Sequence, residues 1–137
     1  MAAVLAQERT LTQIDHVRLN RLAKAQPAHP AAALLDELLA LSELVPSPAV
    51  APGVVTMYSQ VVVADEATGA RTKYAVCYPA DAQPLAGFIS VLAPLGTALL
   101  GLRVGDVARW TGPGGEPHAV RIVEMLFQPE ASGDYTT

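Results

Sequence analysis

The spacing of apolar positions changes period near residue 50. Before that point it is helical. In "TLTQIDHVRLNRLAKAQ", residues 10–26, a short β-like start turns into a helix. Asp15 is a natural N-cap there, and Ile14 and Leu19 stand where a hydrophobic staple would close. Leu19 and Leu22 form a narrow apolar stripe beside Arg18, Arg21 and Lys24. Pro27 ends this helix, because the residue before a proline avoids the α region. After the bend "PAHP", Pro30 suits the first position of a second helix over "AAALLDELLALSEL", residues 31–44. That stretch is rich in helix formers, with Leu34, Leu38, Leu41 and Val45 at 3–4 spacing and Leu35 and Leu39 widening the stripe. Two arms of roughly 12–15 residues, about 18–22 Å long, predict a short antiparallel helical hairpin.

"VPSPAVAPG", residues 45–53, holds three prolines and a closing glycine and reads as a semi-rigid connection. Beyond it the pattern alternates. "VVTMYSQVVVAD" (54–65) predicts a strand, "EATG" a turn in which Gly69 supplies the unusual backbone angles, and "RTKYAVCYPA" (71–80) its hairpin partner. "GFISVLA" (87–93), "DVARWTG" (106–112) and "HAVRIVEMLFQ" (118–128) predict three more, the last two joined by the turn "GPGGEP". Between the first two of these, Pro94 can open a short helix, Leu95 and Leu99 share a face, and Gly101 can cap its end. The expected class is α+β: a helical hairpin over 1–45, a linker over 46–53, and over 54–137 a small antiparallel sheet carrying one short helix. The tail "PEASGDYTT" is polar and expected to be exposed.

Composition narrows the function classes. The chain has 137 residues, 51% of them hydrophobic, so it can bury a core, and with 5% aromatics that core must be Val, Leu and Ala. A net charge of −4 argues against binding nucleic acid by neutralising its phosphates. A single cysteine, Cys77, allows no internal disulfide and lies in a predicted strand as a small core residue. The opening "MAAVLAQERT" has neither a basic start nor an apolar run of signal length, and no stretch reaches bilayer-spanning length, so a soluble, cytoplasmic protein is expected. The histidines His16, His29 and His118 lack metal-ligand spacing, and "GPGGEP" and "GLRVGD" lack the residues of a phosphate loop. The carboxylate pairs Asp65/Glu66 and Asp36/Glu37 read as solvated charge. No enzyme site assembles from these residues, and no metal or cofactor is expected.

"FISVLAPLGTALLGLRVGDVARW" resembles the signature of the C-terminal domain of the Gre transcript-cleavage factors: a strand, a Pro-Leu-Gly-x-Ala-Leu-Leu-Gly segment, then Val-Gly-Asp. "VVTMYSQVVVADEATG" and "YAVCYPADA" resemble the two strands that precede it in that family. The resemblance implies an FKBP-like fold for 54–137 and a coiled-coil hairpin before it. It also implies docking on bacterial RNA polymerase at the rim of the secondary channel, through the loop that matches Leu92, Ala93 and Pro94. Leu92 and Ala93 replace polar residues frequent in the family, so the contact is more apolar. Gre factors carry metal-holding carboxylates at the tip of a long hairpin. Here the tip offers Gln26, Pro27 and His29 instead, and Asp36 and Glu37 lie a turn or more further in. The resemblance and this departure together imply a non-catalytic regulator of transcription that competes with Gre cleavage factors, without a membrane partner or strong direct contact with nucleic acid. The alternative is an FKBP-like peptidyl-prolyl isomerase or chaperone-like binding domain, whose apolar pocket would have to come from Trp110, Phe88, Phe127 and four tyrosines.

Overall fold

The computed structural model describes residues 7–134. Two short strands, β1 (Thr10–Thr12) and β2 (Glu43–Val45), pair in parallel and bracket two helices, α1 (Gln13–Ala25) and α2 (Ala32–Leu41). His16, near the start of α1, bonds through Nε2 to the carbonyl of Leu39, near the end of α2, so the helices run antiparallel. The rest of the chain builds a five-stranded curled sheet: β3 (Gln60–Asp65), β4 (Arg71–Cys77), β5 (Phe88–Ser90), β6 (Val107–Thr111) and β7 (Pro117–Phe127), in spatial order β5-β4-β3-β7-β6. The short helix α3 (Pro94–Leu99) links β5 to β6. The class is α+β, as the pattern predicts.

Several details depart from the sequence reading. The N-cap of α1 is Thr12, whose hydroxyl accepts from the Asp15 N–H; Asp15 is one turn in and buried. Helix α2 starts later than Pro30, because the Ala31 N–H is held by His29 Nδ1 in a turn, and it stops at Leu41 because residues 43–45 pair with β1. Its buried face is Ala32, Leu35, Leu38 and Leu39, while Leu41 is exposed; the stripe is rotated from the Leu34–Leu38–Leu41 line. Residues 54–59 do not extend β3. Thr56 and Ser59 close a buried turn through their backbones and hydroxyls, and Tyr58 takes a positive φ of 68°. The strand at 87–93 is shorter than expected and pairs in parallel with β4, so the sheet is mixed. Ser90 and Thr97 side chains turn the chain at that point by bonding Leu92 N–H and the carbonyls of Val91 and Ala93. The tail is not simply exposed: Gln128, Pro129 and Glu130 are buried. Gln128 Nε2 donates to the carbonyls of Ala51 and Val54, and Glu130 accepts from the Thr56 hydroxyl. Residues 135–137 lie outside the described residues.

Leu11, Leu19, Leu35 and Leu38 from the hairpin belong to the same buried cluster as Val55, Met57, Leu99 and Ile122. The hairpin is therefore packed on the body of the protein. Cys77 is fully buried in that body, and burial pushes its thiol pKa up, which suits a core residue and not a nucleophile.

Candidate functional site

Three segments meet at a cleft of about 390 Å³. The hairpin turn contributes His29, Pro30 and Ala31, with Leu34 from the first turn of α2. The loop before α3 and α3 itself contribute Leu92, Pro94, Thr97 and Ala98. The third wall is the end of β6, Trp110 and Thr111. None of these side chains is formally charged, and the volume falls within the ordinary range of ligand sites.

Each wall is fixed locally. Pro94 is the first residue of α3, where its missing N–H costs nothing. The glycine of "PLG" is needed for close approach: a Cβ on Gly96 would lie 2.1 Å from the Ser90 carbonyl oxygen. The far end of α3 is held from the N-terminal side of the chain, where buried Arg9 donates from Nη1 to the carbonyls of Thr97 at 2.9 Å and Leu100 at 2.8 Å. A cation at a helix C-terminus answers its dipole and unpaired carbonyls. Burial lowers the Arg9 pKa to about 10, with Asp106 acting in the opposite direction. Trp110 stands opposite His118 across the β6–β7 ladder, and the two rings stack with centroids 5.2 Å apart. That contact sets the plane of the indole.

The hairpin is pinned by a buried carboxyl. Asp15 is 1% exposed and its Oδ2 accepts from the Met57 N–H at 3.2 Å. Burial raises its pKa to about 7; the Met57 bond opposes the rise and the nearby Glu130 adds to it. Neither Arg9 nor Asp15 stands out in the sequence as part of a site. The only signal for either is a charged residue flanking an apolar one, as with Arg9 two residues before the fully buried Leu11.

The residues singled out in the sequence separate here. Pro94 is exposed, Ala93 half-buried and Leu92 buried; Leu92 and Pro94 both line the cleft, and Pro94 is the exposed point of the loop. At the tip Gln26 and Pro27 are exposed and do not line the cleft, whereas His29 does. Tip and loop, read separately in the sequence, are opposite walls of one cleft. Asp36 and Glu37 are exposed on α2. Among the described residues no three His, Cys, Asp or Glu side chains group as a metal site.

Comparison with known proteins shows the family and the fold. Residues 50–126 match the family "Transcription elongation factor, GreA/GreB, C-term". The chain is 36% identical over 128 residues to the "Regulator of nucleoside diphosphate kinase" of Escherichia coli K12, covering 91% of this chain and 93% of that protein. It is 43% identical over 68 residues to the transcription elongation factor GreA of Syntrophobacter fumaroxidans, covering 50% of this chain and 41% of that protein. The solved structure of a prokaryotic transcription elongation factor GreA/GreB from Nitrosomonas europaea superposes with a TM-score of 0.74 at 36% identity, covering 88% of this chain and all of that one.

Proposed function

We propose that this chain, which belongs to the GreA/GreB transcription elongation factor family, is a non-catalytic regulator that docks on bacterial RNA polymerase at the secondary-channel rim and competes with Gre cleavage factors. Leu92, Ala93 and Pro94 form the docking loop, with Pro94 as its outward point.

The observation that carries this reading is the pairing of a family-type body with a short, carboxylate-free tip. The family match spans the body, from residue 50 to 126. The hairpin arms are only 13 and 10 residues long, about 20 and 15 Å at 1.5 Å per residue. Residues 26–30 supply an amide, an imidazole and two prolines. A hard cation such as Mg²⁺ wants carboxylate oxygens, and Asp36 and Glu37 face solvent along α2, away from the tip. A protein that occupies the rim without delivering carboxylates blocks those that do.

The test is displacement of a labelled Gre factor from purified core polymerase by this protein. Dose-dependent displacement is expected, with no shortening of RNA in stalled elongation complexes beyond the polymerase's own rate. Failure to displace at large excess, with both proteins folded, refutes docking; faster cleavage refutes the non-catalytic role.

A further inference from the structure

We propose that the cleft between the hairpin turn, α3 and the end of β6 is a binding site for a neutral aromatic molecule of one or two rings that carries a carbonyl-type acceptor. The ring lies against the indole of Trp110, and the acceptor bonds to the Nε2–H of His29.

The lining decides the class of ligand. Walls of Pro30, Leu34, Leu92, Pro94 and Ala98 favour an apolar body. No Asp, Glu, Lys or Arg lines the cleft, so a charged ligand would lose water without gaining a counter-charge. Trp110 is already held in plane by His118 at an interplanar angle of 17°, so an aromatic partner meets a surface that need not be ordered on binding. An indole face prefers another ring, in offset or edge-on geometry, over a saturated one.

The polar groups decide the handle. The Thr97 hydroxyl is committed to the carbonyls of Val91 at 2.6 Å and Ala93 at 3.2 Å. His29 Nδ1 accepts the Ala31 N–H at 3.0 Å, which fixes the tautomer with the proton on Nε2. Among the described residues nothing bonds that Nε2. The cleft therefore offers a preset donor beside an apolar chamber, and a carbonyl acceptor completes it. His29 belongs to the hairpin turn and Trp110 to the sheet, so a ligand that engages both bridges the two.

The chain has one tryptophan, so the indole N–H of Trp110 is a single, site-specific NMR reporter. The full chain, isotope-labelled, is titrated with benzamide and with cyclohexanecarboxamide; no polymerase is present, so the outcome is independent of docking. Benzamide is expected to move the Trp110 resonance saturably at millimolar concentration, and the saturated amide to bind roughly two- to tenfold more weakly. His29→Phe, at a half-exposed position, keeps the apolar wall and removes the donor; it is expected to weaken benzamide about tenfold. Backbone amide dispersion reports whether that variant is folded. A shift that does not saturate, equal binding of the two amides, or full affinity in folded His29→Phe overturns the proposal. So does tighter binding of a proline-containing peptide at the same resonance, which would make the cleft a peptide site. Should His29→Phe fail to fold, the two-amide comparison on the wild-type chain decides alone.

Discussion

Asp15 should make this protein less stable as the pH rises from acid to neutral, and Asp15→Asn should remove that dependence. The carboxyl is 1% exposed, accepts the Met57 N–H, and has Glu130 nearby; its pKa rises from the ordinary 3.8 to about 7. A raised acid is protonated more fully in the native state than in the unfolded one throughout that window. The unfolding free energy therefore falls as pH climbs from about 4 to about 7 and is flat with respect to this group outside it. At about 1.4 kcal/mol for each tenfold change, a rise from 3.8 to about 7 corresponds to about 4 kcal/mol, a large share of the stability of a single domain. Asparagine keeps an acceptor for Met57 and leaves the Thr12 cap untouched, because that cap uses the backbone N–H of residue 15. It carries no titrating proton. Urea unfolding followed by Trp110 fluorescence at pH 5, 6, 7 and 8 gives the two stability curves. Groups not coupled to residue 15 contribute equally to both, so the difference reports Asp15 together with its interaction with Glu130. It should tilt in favour of the asparagine variant by about 1 kcal/mol per pH unit between pH 5 and 7. Parallel curves would show that the buried carboxyl is ionised without penalty and that burial does not raise its pKa.

Gly96→Ala should destabilise the fold by several kcal/mol, since its methyl meets a backbone carbonyl oxygen and not a flexible side chain; the midpoint of urea unfolding reads this, and a change within about 0.5 kcal/mol would refute the close approach. Arg9→Met should cost about 2–3 kcal/mol by leaving the Thr97 and Leu100 carbonyls without their buried donor, again read by urea unfolding. Pro94→Asp should weaken competition with a labelled Gre factor while circular dichroism stays native, whereas Leu99→Asp, at a fully buried position, should unfold the chain. Equal unfolding of both would make the loop framework and not surface.

The period of the apolar positions is sufficient for the helical hairpin, for most strands and for the short helix opened by Pro94. It fails where side chains bond the backbone. Thr12 takes the cap from Asp15, whose carboxyl one turn in is engaged by Met57, a residue 42 positions away that no local pattern reveals. Residues 54–59 alternate like a strand, yet Thr56 and Ser59 fold them into a turn. Val45 ends the second apolar stripe but pairs with Thr12 in a parallel ladder, a contact invisible without the return path of the hairpin. The site shows the same division. Pro94 and His29 are legible as a helix opener and a bend residue, but their meeting across one cleft depends on how the hairpin leans on the body.

The parallel ladder of β1 and β2 brings the chain into the hairpin and out of it side by side. Everything between Thr12 and Glu43 is thus a closed excursion whose two ends meet at one gate. Arm length becomes a dial. At the present setting the apex stops beside Pro94 and shapes a cleft. One added turn in each arm would carry His29 about 5 Å further on, opening the cleft and turning a docked bend into a projecting probe.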